Sequence, residues 1–181
     1  SDAWITIDIQ DHQTSQSFLL PADLDNLCPI AVTDWIEGLE YELEHADPYL
    51  IIRGNYKHEN FALYRARLPT TKTRSNPETW DTLWVPKKGT LFSDYEILEN
   101  HWVIEYSEEG CGRYLIAEPN PTAFKIRQEL TLSTSIHDTH LDPLPGFHRD
   151  KIRMRISTPT MPPEVREIDL TNGDFKQLKV S

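Results

Sequence analysis

The sequence is poor in cysteine and in positive charge, and each shortage excludes a class of protein. Cys28 and Cys111 are its two cysteines, too few for a disulfide framework and lacking the close pairing of zinc or redox motifs, so we expect free thiols in a reducing compartment. The 18 Lys and Arg face 29 Asp and Glu, for a formal charge of -11. That sign is wrong for a surface that neutralises phosphates, so we expect no nucleic-acid partner.

Long apolar runs are also missing. No stretch approaches the roughly 20 apolar residues that span a bilayer, and no short apolar segment follows a basic N-terminus as in a secretory signal. We therefore expect no membrane partner. The chain begins at Ser1 without Met, which predicts that it is part of a longer protein.

What the sequence does contain is one predicted strand after another. Apolar and polar residues alternate, or β-branched and aromatic residues run together, in many short segments. Helical periodicity is absent, and the 13 prolines suit turns better than long helices. The clearest predicted strands are AWITIDI (3–9), LEYELEH (39–45), YLIIRGN (49–55), FALYRARL (61–68), HWVIEYS (101–107), GRYLIAE (112–118), FKIRQELTL (124–132) and KIRMRIS (151–157).

One hairpin pattern recurs, starting near Trp4, Tyr49, His101 and Lys151. A spacing of about 50 residues with four short strands per unit is typical of a β-propeller blade. The seven glycines include no adjacent pair, and Trp-Asp occurs once, so kelch and WD propellers are excluded. The sequence predicts an all-β fold, a partial β-propeller with complete blades at 35–88, 89–132 and 133–181 and a partial blade at 1–34.

Two segments carry a resemblance to a known family. They are DWIEGLEYELEHADPYLIIRGNYKHENFALYRARL (34–68), followed by ETWDTLWVP (78–86), and KIRMRISTPTMPPEVREIDLTNGDFKQLK (151–179). Both resemble the propeller of oligopeptidase B (protease II), within the prolyl oligopeptidase family. The run ISTPTMPPEV (156–165) and the turn TNGD (171–174) depart from the family pattern, and residues 121–150 match least.

The resemblance implies a specific parent protein. Members of this family are cytosolic serine peptidases that cleave short peptides after Lys or Arg, with a seven-bladed propeller capping an α/β-hydrolase domain that carries the Ser, Asp and His triad. The sequence contains no Gly-x-Ser-x-Gly nucleophile elbow. We therefore expect a cytoplasmic propeller portion without catalytic residues or cofactors, which limits substrate access by size and acts with a catalytic domain in cis on short basic peptides.

Three glutamates form the candidate ligand-facing surface. Glu40, Glu42 and Glu44 alternate with apolar residues, so a strand would project all three carboxylates from one face. On the innermost strand of a blade, that face would border the central channel and attract basic peptides. A hydrated face without a ligand is the alternative. Two carboxylates could also serve a small glycosidase, which needs them about 5 to 10 Å apart.

Other polar and aromatic groups favour structural roles. In HDTHLD, strand geometry sends His137 and His140 to opposite faces, so a polar strand end is preferred to a metal site. We expect the five tryptophans to pack in the core rather than to stack on sugars. Arg153 and Arg155 share a strand face that is either exposed or an inter-domain contact. A stand-alone peptide- or glycan-binding propeller or sandwich is the alternative function.

The truncation itself predicts self-association. A closed propeller hides its edges, whereas a partial ring leaves blade faces and strand edges open, and open edges favour pairing with another copy. We therefore expect a dimer or an edge-paired assembly of this chain.

Overall fold

The structure is a computed structural model that describes residues 3–23, 28–131, 138–142 and 144–180. Over these ranges, 15 strands form four antiparallel sheets, and the one helical element is a short 3-10 turn at Pro77–Thr79. The predicted all-β class is confirmed. By its internal contacts the chain divides into two compact units, Ser1–Val85 and Pro86–Ser181, so the three predicted blade limits stay predictions.

The first unit contains a three-stranded sheet and a four-stranded sheet. Every strand pairs with its neighbour along the sequence, in the orders β1-β2-β3 and β4-β5-β6-β7, which makes each sheet a simple meander. The strands are β1 Trp4–Gln10, β2 Ser15–Pro21, β3 Ile30–Ala31, β4 Tyr41–Ala46, β5 Tyr49–Gly54, β6 Ala62–Arg67 and β7 Asp81–Trp84.

The core of the first unit follows from the period-two pattern of these strands. In β4, Tyr41, Leu43 and His45 are buried while Glu42 and Glu44 are exposed, because successive side chains of a strand point to opposite faces. Apolar residues from both sheets complete one cluster on the buried side. Its members are Leu19, Val32, Leu39, Tyr41, Leu43, Leu50, Ile52, Ala62, Tyr64, Ala66 and Trp80.

The second unit contains two four-stranded meanders, ordered β8-β9-β10-β11 and β12-β13-β14-β15. The β9–β10 hairpin closes with two residues of positive φ, Glu109 at 53° and Gly110 at 76°, the geometry of the type I′ turn that suits the twist of antiparallel strands. The strands are β8 Thr90–Ile97, β9 Trp102–Glu108, β10 Cys111–Ala117, β11 Ile126–Thr131, β12 Asp138–Asp142, β13 Lys151–Thr158, β14 Met161–Asp169 and β15 Phe175–Val180.

The second unit has its own apolar cluster, which again draws on both of its sheets. Val103 and Tyr114 from the first sheet are fully buried with Ile152 and Met154 from the second. In the described part of the chain, no helix has the length and apolar character needed to cross a membrane.

Candidate functional site

The predicted acidic surface lies on β4, an edge strand of its sheet. Glu42 and Glu44 are exposed on one face of β4, and Glu40 is half-buried one residue before the strand begins. The structure therefore keeps the three glutamates in the predicted alternation. Their position relative to a central channel stays a prediction.

One arginine partly balances the acidic surface. Arg53 lies directly opposite Glu42 in the β4–β5 ladder, and its guanidinium Nη1 lies 2.8 Å from a Glu42 carboxylate oxygen. The same guanidinium stacks over the Phe61 ring, 4.1 Å from its centroid. Phe61 has a φ of 61°, an uncommon backbone conformation for an aromatic residue, and this conformation places the ring beside Arg53.

Asn55 fixes the chain that leads into β4. Its side-chain oxygen accepts a hydrogen bond from the backbone N–H of Glu40, at 2.9 Å, and its side-chain nitrogen donates to the carbonyl of Gly38, also at 2.9 Å. The backbone N–H of Asn55 donates to the Glu40 carbonyl. Arg53 and Asn55, both within the segment of family resemblance, thus position the glutamates.

These groups surround a small cleft of about 120 Å³ in the first unit. Three carboxylates, those of Asp11, Glu40 and Glu42, line it against one guanidinium, that of Arg53. The excess of negative charge favours a cationic group in the cleft. The lining residues are Gln10, Asp11, Thr14, Ser15, Glu40, Tyr41, Glu42, Arg53 and Phe61.

Behind the cleft, Tyr41 joins the two sheets of the first unit. Its hydroxyl accepts a hydrogen bond from the Ser17 backbone N–H and lies within hydrogen-bonding distance of the Thr33 hydroxyl, both at 2.9 Å. Its own backbone N–H donates to the Ser15 hydroxyl, at 2.6 Å, and that hydroxyl donates to the Tyr41 carbonyl. Burial raises the pKa of the Tyr41 hydroxyl, so this junction stays neutral at ordinary pH.

In the second unit, the carboxyl of Glu105 connects the two sheets, as Tyr41 does in the first unit. Glu105 lies in β9 and is 2% exposed. Its two oxygens accept hydrogen bonds from the Leu141 backbone N–H, at 2.8 Å, and from the Thr139 hydroxyl, at 3.2 Å, so it joins β9 to β12. Burial raises the pKa of Glu105 to about 7, against the lowering effect of these hydrogen bonds.

Sequence reasoning missed both junction residues. Glu105 stands inside the apolar run WVIEY (102–106), and a lone carboxyl in such a run is the signal in the sequence that predicts its burial. The alternation in β4 predicts that Tyr41 is buried, but its hydrogen bonds to Ser17 and Thr33 depend on tertiary structure.

The histidines and aspartates of HDTHLD, and the arginines of β13, pair with other charged groups where they are described. His140 lies 3.2 Å from Asp138, and both side chains are 70% exposed, while Asp142 lies 3.5 Å from Arg155. His137 is outside the described residues. Over the described ranges, no three His, Cys, Asp or Glu side chains gather as metal ligands. Arg153 lies 3.5 Å from Glu167.

The prediction that the tryptophans pack in the core is confirmed for only some of them. Trp80 and Trp102 are buried, and Trp80 contacts the rings of Tyr41 and Tyr64. Trp35 is 48% exposed, so the expectation of core packing is wrong for this residue. It lies in the connection between β3 and β4, where no strand directs its side chain toward a core.

Comparison with known proteins identifies the fold family of the chain. The chain matches the family model for the N-terminal β-propeller domain of prolyl oligopeptidase over residues 1–181. Oligopeptidase B from Leishmania major aligns with a TM-score of 0.79 at 18% identity, over 98% of this chain and 26% of that chain. Oligopeptidase B from Trypanosoma brucei with covalently bound antipain gives 0.79 at 17%, over 99% and 28%. No curated protein matches the chain significantly.

A third solved structure, prolyl oligopeptidase B from Galerina marginata, aligns with a TM-score of 0.75 at 10% identity, over 98% of this chain and 27% of that chain. At such identities the structural likeness shows the fold alone.

The repeated antiparallel meanders and these alignments define a partial β-propeller, as the sequence predicted. The chain belongs to the family of prolyl oligopeptidase N-terminal β-propeller domains. It spans about a quarter of the length of the solved structures that it matches.

Proposed function

We propose that this chain is the non-catalytic propeller portion of a serine oligopeptidase that cleaves short peptides after Lys or Arg. The observation that supports this most strongly is the match to the propeller family over residues 1–181. The sequence also contains no Gly-x-Ser-x-Gly elbow, the strained turn that exposes a nucleophilic serine. In this proposal the catalytic α/β-hydrolase domain acts in cis, in the cytoplasm, and the propeller admits short peptides and excludes folded proteins.

The acidic edge strand supports the preference for basic peptides. Glu40, Glu42 and Glu44 would border the channel and lower the free energy of an approaching Lys or Arg side chain. The small cleft beside them carries three carboxylates and one guanidinium, and so retains negative charge despite the Arg53–Glu42 pair. Electrostatic attraction at an exposed surface is weakened by salt.

Fluorescence anisotropy with a labelled short Lys-containing peptide tests this role. Replacing Glu42 and Glu44 together by Gln should weaken binding several-fold at low ionic strength, and added salt should reduce the difference. Glu109→Gln combined with Asp174→Asn removes the same two charges from exposed connections of the second unit and should leave binding unchanged. Equal weakening by the control would mean that net charge, rather than β4, attracts the peptide.

A stand-alone glycan-binding module is the second candidate function. The exposed Trp35 ring favours it, because tryptophan combines a large apolar face with a polar N–H and is enriched at binding interfaces. A glycan array separates the two candidates. Tight binding that Trp35→Ala abolishes would support the glycan module, and its absence together with peptide binding would support the propeller of a peptidase.

We also propose that the chain associates with itself through the first sheet. Ile5, Ile7 and Ile9 are 41 to 50% exposed along one face of β1, and β1 is an edge strand. Light scattering at high concentration should show a dimer. Ile7→Lys should dissociate it, whereas Thr6→Lys, on the opposite face of the same strand, should not. A monomeric wild-type chain would contradict this proposal.

A further inference from the structure

The first unit contains a larger cavity, of about 350 Å³, at the end of β6 and the loop that leads to β7. Its volume falls within the roughly 300–1,000 Å³ of small-molecule sites. Backbone and side chains from β5, β6 and the loop form its walls. The lining residues are Tyr49, Arg65, Ala66, Arg67, Leu68, Pro69, Thr73, Arg74, Ser75, Thr79 and Asp81.

The cavity is basic, although the chain as a whole has a formal charge of -11. Arg65, Arg67 and Arg74 line it, with Asp81 as the one carboxylate among its lining residues. Arg65 and Arg67 are two residues apart in β6 and so project from the same face of the strand. Clustering three of the chain's few cations around one concave surface concentrates positive potential there.

Arg65 forms the rigid side of the cavity. Its Nε lies 2.9 Å from a carboxylate oxygen of Asp81, and its guanidinium stacks on the Tyr49 ring, 5.1 Å from the centroid. A side chain held by two contacts loses little further freedom when a ligand arrives, which favours binding.

Arg67 and Arg74 are the side chains that can engage a ligand. Arg67 is exposed and, among the described residues, forms no ion pair with a carboxylate. Arg74 pairs with Asp34, but the two side chains are 54% and 71% exposed. An ion pair so open to water contributes little free energy, so an incoming anion can compete for Arg74.

Ser75 adds a neutral donor to the same wall. Its hydroxyl oxygen accepts a hydrogen bond from the Trp80 indole N–H at 2.8 Å, which leaves the hydroxyl proton to be donated elsewhere. The Ser75 backbone N–H donates to the Val32 carbonyl at 2.7 Å. These two bonds fix the position of Ser75 in the loop.

From this arrangement we propose that the cavity binds a small anion with two oxyanion groups, either phosphate or carboxylate. Guanidinium groups hold both kinds of oxyanion through paired N–H donors. Arg67 binds one group, and Arg74 with Ser75 binds the other. The proposal does not rest on the peptidase function.

Isothermal titration calorimetry at low ionic strength, with inorganic pyrophosphate and with citrate as probes, tests the site. We expect at least one probe to bind, with Arg67→Ala weakening the affinity by about tenfold and Arg74→Ala by a few-fold. Asp34→Asn should strengthen binding, because it removes the carboxylate that competes for Arg74. Binding of pyrophosphate alone assigns a phosphate ligand, and binding of citrate alone assigns a carboxylate ligand.

Arg155→Ala is the matched control. Arg155 is 59% exposed and pairs with a carboxylate, as Arg74 does, but it lies in the second unit, outside the lining of the cavity. Its replacement should leave the affinity unchanged. Equal weakening by Arg155→Ala and Arg67→Ala, or no binding of either probe at about 10 mM, would overturn the proposal.

Discussion

The two units of this chain join their sheets by different chemistry. In the first unit, Tyr41 accepts hydrogen bonds from the Ser15 hydroxyl and the Ser17 backbone N–H and donates its own backbone N–H to the Ser15 hydroxyl, and all of these groups are neutral. In the second, the carboxyl of Glu105 accepts bonds from β12. Both junctions satisfy buried polar groups, but only the second can ionise near neutral pH. Equivalent packing problems can therefore be solved with very different sensitivity to protons.

Removing the Glu105 carboxyl should destabilise the second unit more than any other change at these junctions. Glu105→Ala leaves the buried Leu141 N–H without its acceptor and opens a cavity, so we expect a loss of about 3 kcal/mol in the stability of the second unit. Urea unfolding measures this loss, and native-state hydrogen exchange of the Leu141 amide reports whether its acceptor is in place. Glu105→Gln keeps an acceptor and the side-chain volume, and at pH 6 it should retain most of the protection. An unprotected Leu141 amide in the wild-type chain would contradict the described geometry.

The stability of the second unit should depend on pH through Glu105, whereas the Tyr41 junction should be insensitive to pH. The pKa of Glu105 is raised to about 7 from an ordinary 4.5, so its contribution to stability is fully present below pH 4.5 and is lost as the pH rises through 7. Between pH 5 and pH 8 the second unit should lose on the order of 2 to 3 kcal/mol.

Exchange of the Leu141 amide, corrected for intrinsic rates, measures this change across the same pH range. Burial lowers the pKa of His45 and His101, so both histidines also contribute to the pH dependence. Glu105→Gln serves as the reference because that contribution is the same in both proteins. An identical pH profile in the two proteins would refute the raised pKa.

Adding a side chain at Gly112, beside the Glu105 junction, should lower the stability by a smaller amount. A Cβ added at Gly112 would lie 2.2 Å from the Thr139 hydroxyl oxygen, which Glu105 holds in place. We expect Gly112→Ala to cost about 2 kcal/mol in urea unfolding. Adding Thr139→Ala to Gly112→Ala should recover part of that loss, and a double variant no better than the sum of the two single changes would argue against the contact.

The smallest expected effect is at the neutral junction. Tyr41→Phe removes the hydroxyl that accepts from the Ser17 N–H, and we expect a loss of about 1 kcal/mol in the stability of the first unit. The loss should be the same at pH 5 and at pH 8 by urea unfolding, since the raised pKa of Tyr41 lies far above this range. A loss that changes across this range would erase the contrast with Glu105.

Much of the fold could be predicted because its strands carry a period-two pattern that sets their faces. Strand ends were harder where turn chemistry competes with pairing. The run TMPPEV (160–165) contains two adjacent prolines, yet β14 begins at Met161 and contains Pro162 and Pro163. Proline lacks a ladder donor, but the β13–β14 pairing shifts register between Ile156 and Thr158, which accommodates the two prolines.

The candidate site was less predictable than the fold. Alternation alone identified the shared face of Glu42 and Glu44, because that depends on neighbours in one strand. The pairing of Arg53 with Glu42 depends on the register of the β4–β5 hairpin, and the cavity around Arg67 depends on how β5, β6 and the following loop come together. No pattern within one strand encodes either arrangement.

We propose that this propeller serves a peptidase without carrying out its chemistry, and an activity assay on the chain tests that proposal. The purified 181-residue chain is incubated with a fluorogenic Lys or Arg peptide and then with a fluorophosphonate that labels nucleophilic serines. We predict no turnover above background and no labelled serine by mass spectrometry. Turnover together with a single labelled serine would contradict the claim.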